Sequence, residues 1–227
     1  MKPNPPAGTL LAVLLPLGVA LAGAGPGGNA FLAEVPPERH QPVRSIVPPP
    51  GYSGGFGEPG CNFCHTGLEV NDGAGSLELL GLPSDGYLPG ARYTVIVRLR
   101  HPDLRIAGFQ LTARFGAEGE EGSQAGLLHP GEGQRIVGAE EFPVQYLAND
   151  QAGSRPVREG VGEWRFAWTA PTEPSGPVVF HLSATAADGD GSEFGDRVYL
   201  LELSVSPPGA SNSSRNQRRS SSEAASE

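Results

Sequence analysis

The chain of 227 residues has two cysteines, one methionine and two tryptophans, and each shortage narrows its chemistry. With Cys61 and Cys64 as the whole supply, no second cysteine pair exists to complete a structural zinc site. The single methionine is Met1, so the body of the chain has no thioether to offer a metal. Basic residues are scarce too. Lys and Arg total 16 against 25 Asp and Glu, a formal net charge of −9, which is the wrong sign for nucleic acid or anionic lipid. No Ser-His-Asp set, paired catalytic carboxylates or phosphate-cradling loop can be picked out, so an enzyme is disfavoured. Sustained helical periodicity and internal repeats are missing as well.

Long hydrophobic runs are also lacking. The longest, Leu10–Leu21, is shorter than the roughly 20 residues a membrane span needs. It follows Lys2, contains Pro16 and Gly18, and ends at Ala22-Gly23-Ala24. This is the pattern of a secretory signal peptide over residues 1–24, cleaved near Ala24, rather than a retained anchor helix. The expected product is exported, periplasmic or extracellular, with no membrane span in the mature chain. Losing Lys2, the segment's one charged residue, takes the net charge from −9 to −10. Glu118, Glu120, Glu121, Glu132, Glu140 and Glu141 supply an acidic region that reads as solvated loop and would steer a basic partner.

Glycine (33) and proline (23), by contrast, are plentiful and fall between short apolar runs. Residues 25–53 read as a Pro/Gly-rich extended leader, 54–206 as one domain and 207–227 as a disordered Ser-rich tail. Within the domain, strict alternation predicts strands. Tyr93, Val95, Val97 and Leu99 share one face, as do Phe109, Leu111, Ala113 and Phe115. Trp164, Phe166 and Trp168 supply the largest core side chains. In "PVVFHLSATAA", Val178, Phe180, Leu182 and Ala184 point in, and Val179, His181, Ser183 and Thr185 point out. "RVYLLELSVS" places Val198, Leu200 and Leu203 inside, and "SLELLG" and "VQYLA" are shorter candidates. About seven such strands predict an all-β, two-sheet antiparallel sandwich, with a closed barrel as the alternative.

Both cysteines lie in "GEPGCNFCHTG", with His65 directly behind them. A Cys-x-x-Cys-His run supplies two thiols for the vinyl groups of one haem c and an imidazole for its iron. Cys61 and Cys64 would form the thioethers and His65 the proximal bond. The alternatives are a Cys61–Cys64 disulfide, a partial metal site, and a dithiol redox couple, which would want a βαβ setting that is absent here. The remaining histidines are His40, His101, His129 and His181, and His101, at a strand end, is the preferred distal iron ligand. Separately, Asp188, Asp190, Glu193 and Asp196 in "DGDGSEFGD" could hold calcium, although Asp-Gly pairs also suit hairpin turns.

"CNFCHTG", "YLPGARYTVIVRL", "GFQLTARF", "WRFAWTAP" and "VVFHLSATAADGDGSEFGDRVY" occur in this order over about residues 54–206. In this the chain resembles bacterial reeler-like domains, exported β-sandwich modules also described as choice-of-anchor domains. The resemblance implies a reeler or immunoglobulin-like sandwich and one haem at the Cys-x-x-Cys-His. Such relatives carry a histidine where this chain has Asn149, which cannot ligate iron in the same way. They also often end in a membrane or sorting segment, where this chain has the polar tail from Pro207.

The expectation is therefore an exported monohaem c-type protein that transfers single electrons in the cell envelope to a redox partner. A non-catalytic binding or adhesion module with a Cys61–Cys64 disulfide is the first alternative. A haem-based sensor or enzyme with an open iron position is the second.

Overall fold

The computed structural model of the chain describes residues 47–116, 121–138 and 143–207. The signal segment, the leader up to residue 46 with His40, the acidic residues Glu118, Glu120, Glu140 and Glu141, and the tail from Pro208 lie outside the described residues.

Nine strands are found among the described residues. In chain order they are β1 (Ser76–Leu80), β2 (Arg92–Arg100), β3 (Ile106–Phe115), β4 (Leu127–His129), β5 (Gln134–Val137), β6 (Tyr146–Asn149), β7 (Val161–Thr169), β8 (Val178–Ala187) and β9 (Arg197–Val205). They form two antiparallel sheets, a four-stranded β1-β2-β7-β4 and a five-stranded β5-β6-β3-β8-β9. The result is an all-β sandwich of two open sheets rather than a closed barrel. Among the described residues no helix is long and apolar enough to cross a membrane.

The alternation of apolar residues explains the core. Val95, Val97 and Leu99 of β2 and Trp164, Phe166 and Trp168 of β7 face Phe109 and Leu111 of β3 and Phe180 and Leu182 of β8. Trp168 is wholly buried, edge-on to Tyr87 and Phe180 and stacked on Tyr93. Its indole N–H donates to Ala125 O at 3.0 Å, so the largest apolar side chain carries no unmet donor.

The two sheets differ on their outer faces. The four-stranded sheet shows charge to solvent there, with Arg98 paired to Glu163 at 2.8 Å and Arg100 to Glu78. The outer face of the five-stranded sheet is instead covered by residues from Val47 to Cys61. Gln110, Thr112, Arg114, His181, Ser183 and Thr185 are all buried. The expectation that His181, Ser183 and Thr185 face outward to solvent is therefore corrected: they point away from the core but lie beneath this strap.

The same covering explains an error of register in β9. Tyr199 and Val205, with Leu201 and Leu203 behind them, face the core, whereas Val198 and Leu200 lie on the strap side. Leu200 abuts Gly54 and Gly60. With apolar residues on both faces, alternation alone could not choose between them. His129 ends β4.

Candidate functional site

The strap is held to the sheet by polar groups. Gln110 accepts the Tyr52 N–H at Oε1 and donates from Nε2 to Pro49 O. Glu58 accepts from Ser53 Oγ at 2.9 Å, from Tyr146 Oη at 2.6 Å and from the Arg114 guanidinium. Arg114 also packs between the Phe56 and Tyr146 rings. Burial, and then the Glu58 hydrogen bond, push the Tyr146 phenol up to about 12, against the opposing pull of Arg114. A buried charge is thus paired and hydrogen-bonded where the strap turns toward the cysteines. Gly55 must be glycine for steric reasons, since a Cβ there would stand 2.0 Å from the His181 ring.

The strap delivers the chain into a short 3-10 turn, Cys61–Phe63, entered through a bond of 2.8 Å from the Cys61 N–H to Ser183 Oγ. The N–H groups of Cys64 and His65 both donate to Cys61 O, at 3.2 and 2.9 Å. This brings both cysteines and the histidine into a single turn of backbone. Neither cysteine is in a disulfide; Cys61 is half-buried and Cys64 exposed. Burial pushes the Cys61 thiol up, and the hydroxyls of Ser183 and Thr185 only partly offset this. A neutral thiol at that position is the opposite of what a dithiol redox couple requires of its nucleophile.

His65 has a specific partner. Its Nδ1 lies 2.6 Å from Asp196 Oδ2, the imidazole about a third exposed and the carboxylate buried. The carboxylate can only accept, so Nδ1 carries the proton and the neutral ring keeps its lone pair on Nε2. Burial raises the Asp196 carboxyl above its ordinary range, with the His65 hydrogen bond and charge pulling the other way. Its second oxygen, Oδ1, is buried with no hydrogen-bond partner among the described residues. Two backbone bonds of 3.0 Å fix the approach, from Thr66 N–H to Glu193 O and from Gly195 N–H to Thr66 O. Farther along, Asn71 N–H donates to Val198 O and Asn71 Oδ1 accepts the Leu200 N–H, both at 2.9 Å. The segment after the motif therefore runs beside β9, an outermost strand of the five-stranded sheet.

Large apolar side chains are exposed on the two segments that meet at the turn. Phe63 and Phe194 are each 65 % exposed, the most open large hydrophobic residues among those described, and Leu68, on the same segment as Phe63, is exposed too. Phe194 bridges to Thr66 through its backbone, next to His65.

The other predicted site residues have partners of their own. His101 follows β2 and is buried, its Nδ1 accepting the Asp103 N–H at 3.2 Å. That places the neutral ring's proton on Nε2, which then has no lone pair for a metal. His101 borders a polar cleft of about 320 Å³ with Asp103, Arg105, Asp188 and Arg197. His129 Nε2 meets Thr169 Oγ1 at 2.9 Å in the four-stranded sheet. His181 Nε2 meets Glu202 at 3.1 Å, its ring edge-on to Phe56. Asn149 is buried and accepts the Phe109 N–H at 2.9 Å.

Among the four acidic residues considered for calcium, Asp188 and Asp190 accept backbone N–H groups of their own loop, at 2.9 and 2.6 Å. Asp196 is turned to His65, and no group of three or more His, Cys, Asp or Glu converges among the described residues. Asp188, Asp190, Glu193 and Asp196 therefore do not form one cradle. Sequence reasoning named Asp196 but missed its role, because 131 positions separate it from His65. Glu58 was missed outright.

No family model and no curated protein matches the chain. Among solved structures it is similar to two structures of the human F-spondin reeler domain. The first has 23 % identity and a TM-score of 0.42, over 62 % of this chain and 94 % of that one. The second has 26 % identity and a TM-score of 0.37, over 59 % and 91 %. A cohesin module from a Clostridium perfringens family 33 glycoside hydrolase is similar at 15 % identity and a TM-score of 0.39, over 59 % and 95 %.

Proposed function

We propose that this chain is a non-catalytic, exported β-sandwich module whose Cys61-to-His65 turn holds one haem c, and that it works as a one-electron carrier in the cell envelope. The observation that carries the reading is the His65–Asp196 contact of 2.6 Å, which leaves Nε2 as the free donor of an imidazole beside two unpaired cysteines. The donor set fits the group: two thiols in one turn, one imidazole of fixed tautomer, and exposed apolar side chains at Phe63, Leu68 and Phe194 on the two segments that meet there. A bound haem would supply an Fe(III)/Fe(II) couple. The protein's own Asp196 would orient the imidazole that holds it. The acidic balance of the chain, −9 before any processing, favours a basic redox partner.

A second reading is a binding or adhesion module in which Cys61 and Cys64 form a disulfide. It is favoured by the Cys61 thiol, which lies against Ser183 and Thr185 on the sheet rather than out in solvent.

The test is expression with cytochrome c maturation machinery and a signal sequence, followed by haem staining of the denatured band and intact mass. A stained band with the mass raised by haem is expected. A colourless band with a mass lower by the two thiol hydrogens would replace this reading with the disulfide module.

A further inference from the structure

Asp196 is too costly a residue to serve only as a turn former. Its side chain is 2 % exposed, one oxygen has no partner among the described residues, and the other is committed to His65. Arg197, the adjacent cation, is bonded to Asp72 at 3.2 Å. The hairpin loop before it has caps of its own, since the side chains of Asp188, Asp190 and Ser192 accept backbone N–H groups within it. A buried carboxylate with a single short contact to an imidazole is what is found behind metal-ligating histidines. There it fixes the ring, selects the tautomer and raises the basicity of the opposite nitrogen. The backbone pairing of Thr66 with residues 193–195 sets the two side chains in register, so the contact is built by the fold and not by chance rotamers.

We infer that Asp196 is the positioning residue of the Cys-x-x-Cys-His turn: by accepting the hydrogen bond from His65 Nδ1–H it makes Nε2 a strong donor that favours ferric over ferrous iron. The inference rests on the haem reading for its redox consequence, and on geometry alone for the tautomer. An anionic acceptor shifts electron density toward Nε2 more than a neutral amide does, and the more charged iron gains most from a stronger donor. Asp196 therefore holds the reduction potential down, and the carrier gives up its electron readily.

Two measurements separate the claims. In the full-length chain matured with haem, the midpoint potential is read by optical titration for wild type, Asp196→Asn, Asp196→Glu and Asp190→Asn. Asp196→Asn is expected to raise the potential, Asp196→Glu to restore it in part, and Asp190→Asn to leave it at the wild-type value. Haem-loaded Asp196→Asn protein with an unshifted potential would overturn the inference while leaving the haem reading intact. In the haem-free chain, nitrogen chemical shifts of His65 are expected to report a proton on Nδ1 in wild type and a mixture of tautomers in Asp196→Asn. A wild-type ring protonated mainly on Nε2 would overturn it, whether or not haem is ever found attached.

Discussion

With two residues between them in sequence, Cys61 and Cys64 meet different surroundings. Cys61 enters the turn tied to Ser183 and half-buried, its thiol pushed up by loss of solvent, whereas Cys64 is exposed. Since the thiolate is the reactive form, and access limits it further, the two should alkylate unequally. In haem-free, reduced protein at mildly alkaline pH, iodoacetamide is expected to modify Cys64 several-fold faster than Cys61, as read by peptide mass spectrometry. Ser183→Ala should change this little, because burial rather than the hydroxyl is the larger cause. Equal rates would mean that the strap does not hold Cys61 against the sheet. The five-residue motif was plain in the sequence because its chemistry is local. Asp196 was not: it is brought to His65 only by the path of β8 and β9, and its run of acidic and glycine residues reads as a turn or a cation loop.

At the scale of elements, the strap decides how far alternation can be trusted. Strands β2, β3, β7 and β8 follow their predicted inward faces, since each has one face against the opposite sheet. β9 misled because Leu200 is covered by the strap and Val198, on the same face, is buried as well, while Tyr199 faces the core. A Pro/Gly-rich segment gives no periodic signal that it will cover anything, and β4 and β5, of three and four residues, are too short to show a period. The joint of the strap is Glu58. Removing it leaves Arg114, 5 % exposed, as a buried charge without its carboxylate. Breaking such a pair typically costs about 3–5 kcal/mol, so Glu58→Ala should lower the urea midpoint strongly. The change should also loosen the Cys61–Phe63 turn. The double variant Glu58→Ala/Arg114→Met, which removes the stranded charge, should recover much of the loss. If both variants unfold alike, the strap is held by its apolar contacts and not by this pair.

Across the whole molecule, stability should follow the depth of each strand in its sheet. β8 lies between β3 and β9, in register from Ile106 opposite Ala187 to Phe115 opposite Val178, with the core on one side and the strap on the other. Amides of such a strand open only with the whole domain, whereas β1 and β4 are outermost in their sheet. Hydrogen–deuterium exchange should therefore show slowest labelling over residues 178–187, faster labelling over 76–80 and 127–129, and intermediate protection of the strap. A strap that exchanges as fast as free peptide would contradict the burial of His181, Ser183 and Thr185. The sandwich as an architecture was readable from the spacing of its apolar runs and turn residues. The unequal treatment of its two outer faces was not, because it depends on chain that lies outside the repeating pattern.

The residues that follow His65 lie along β9, where Asn71 bonds to Val198 and Leu200. An outermost strand left bare invites a second molecule to continue the sheet, the first step toward a growing fibre. The short stretch that presents the imidazole also denies that foothold to a neighbour. A lesion that unpicks it would threaten solubility before it threatened the fold.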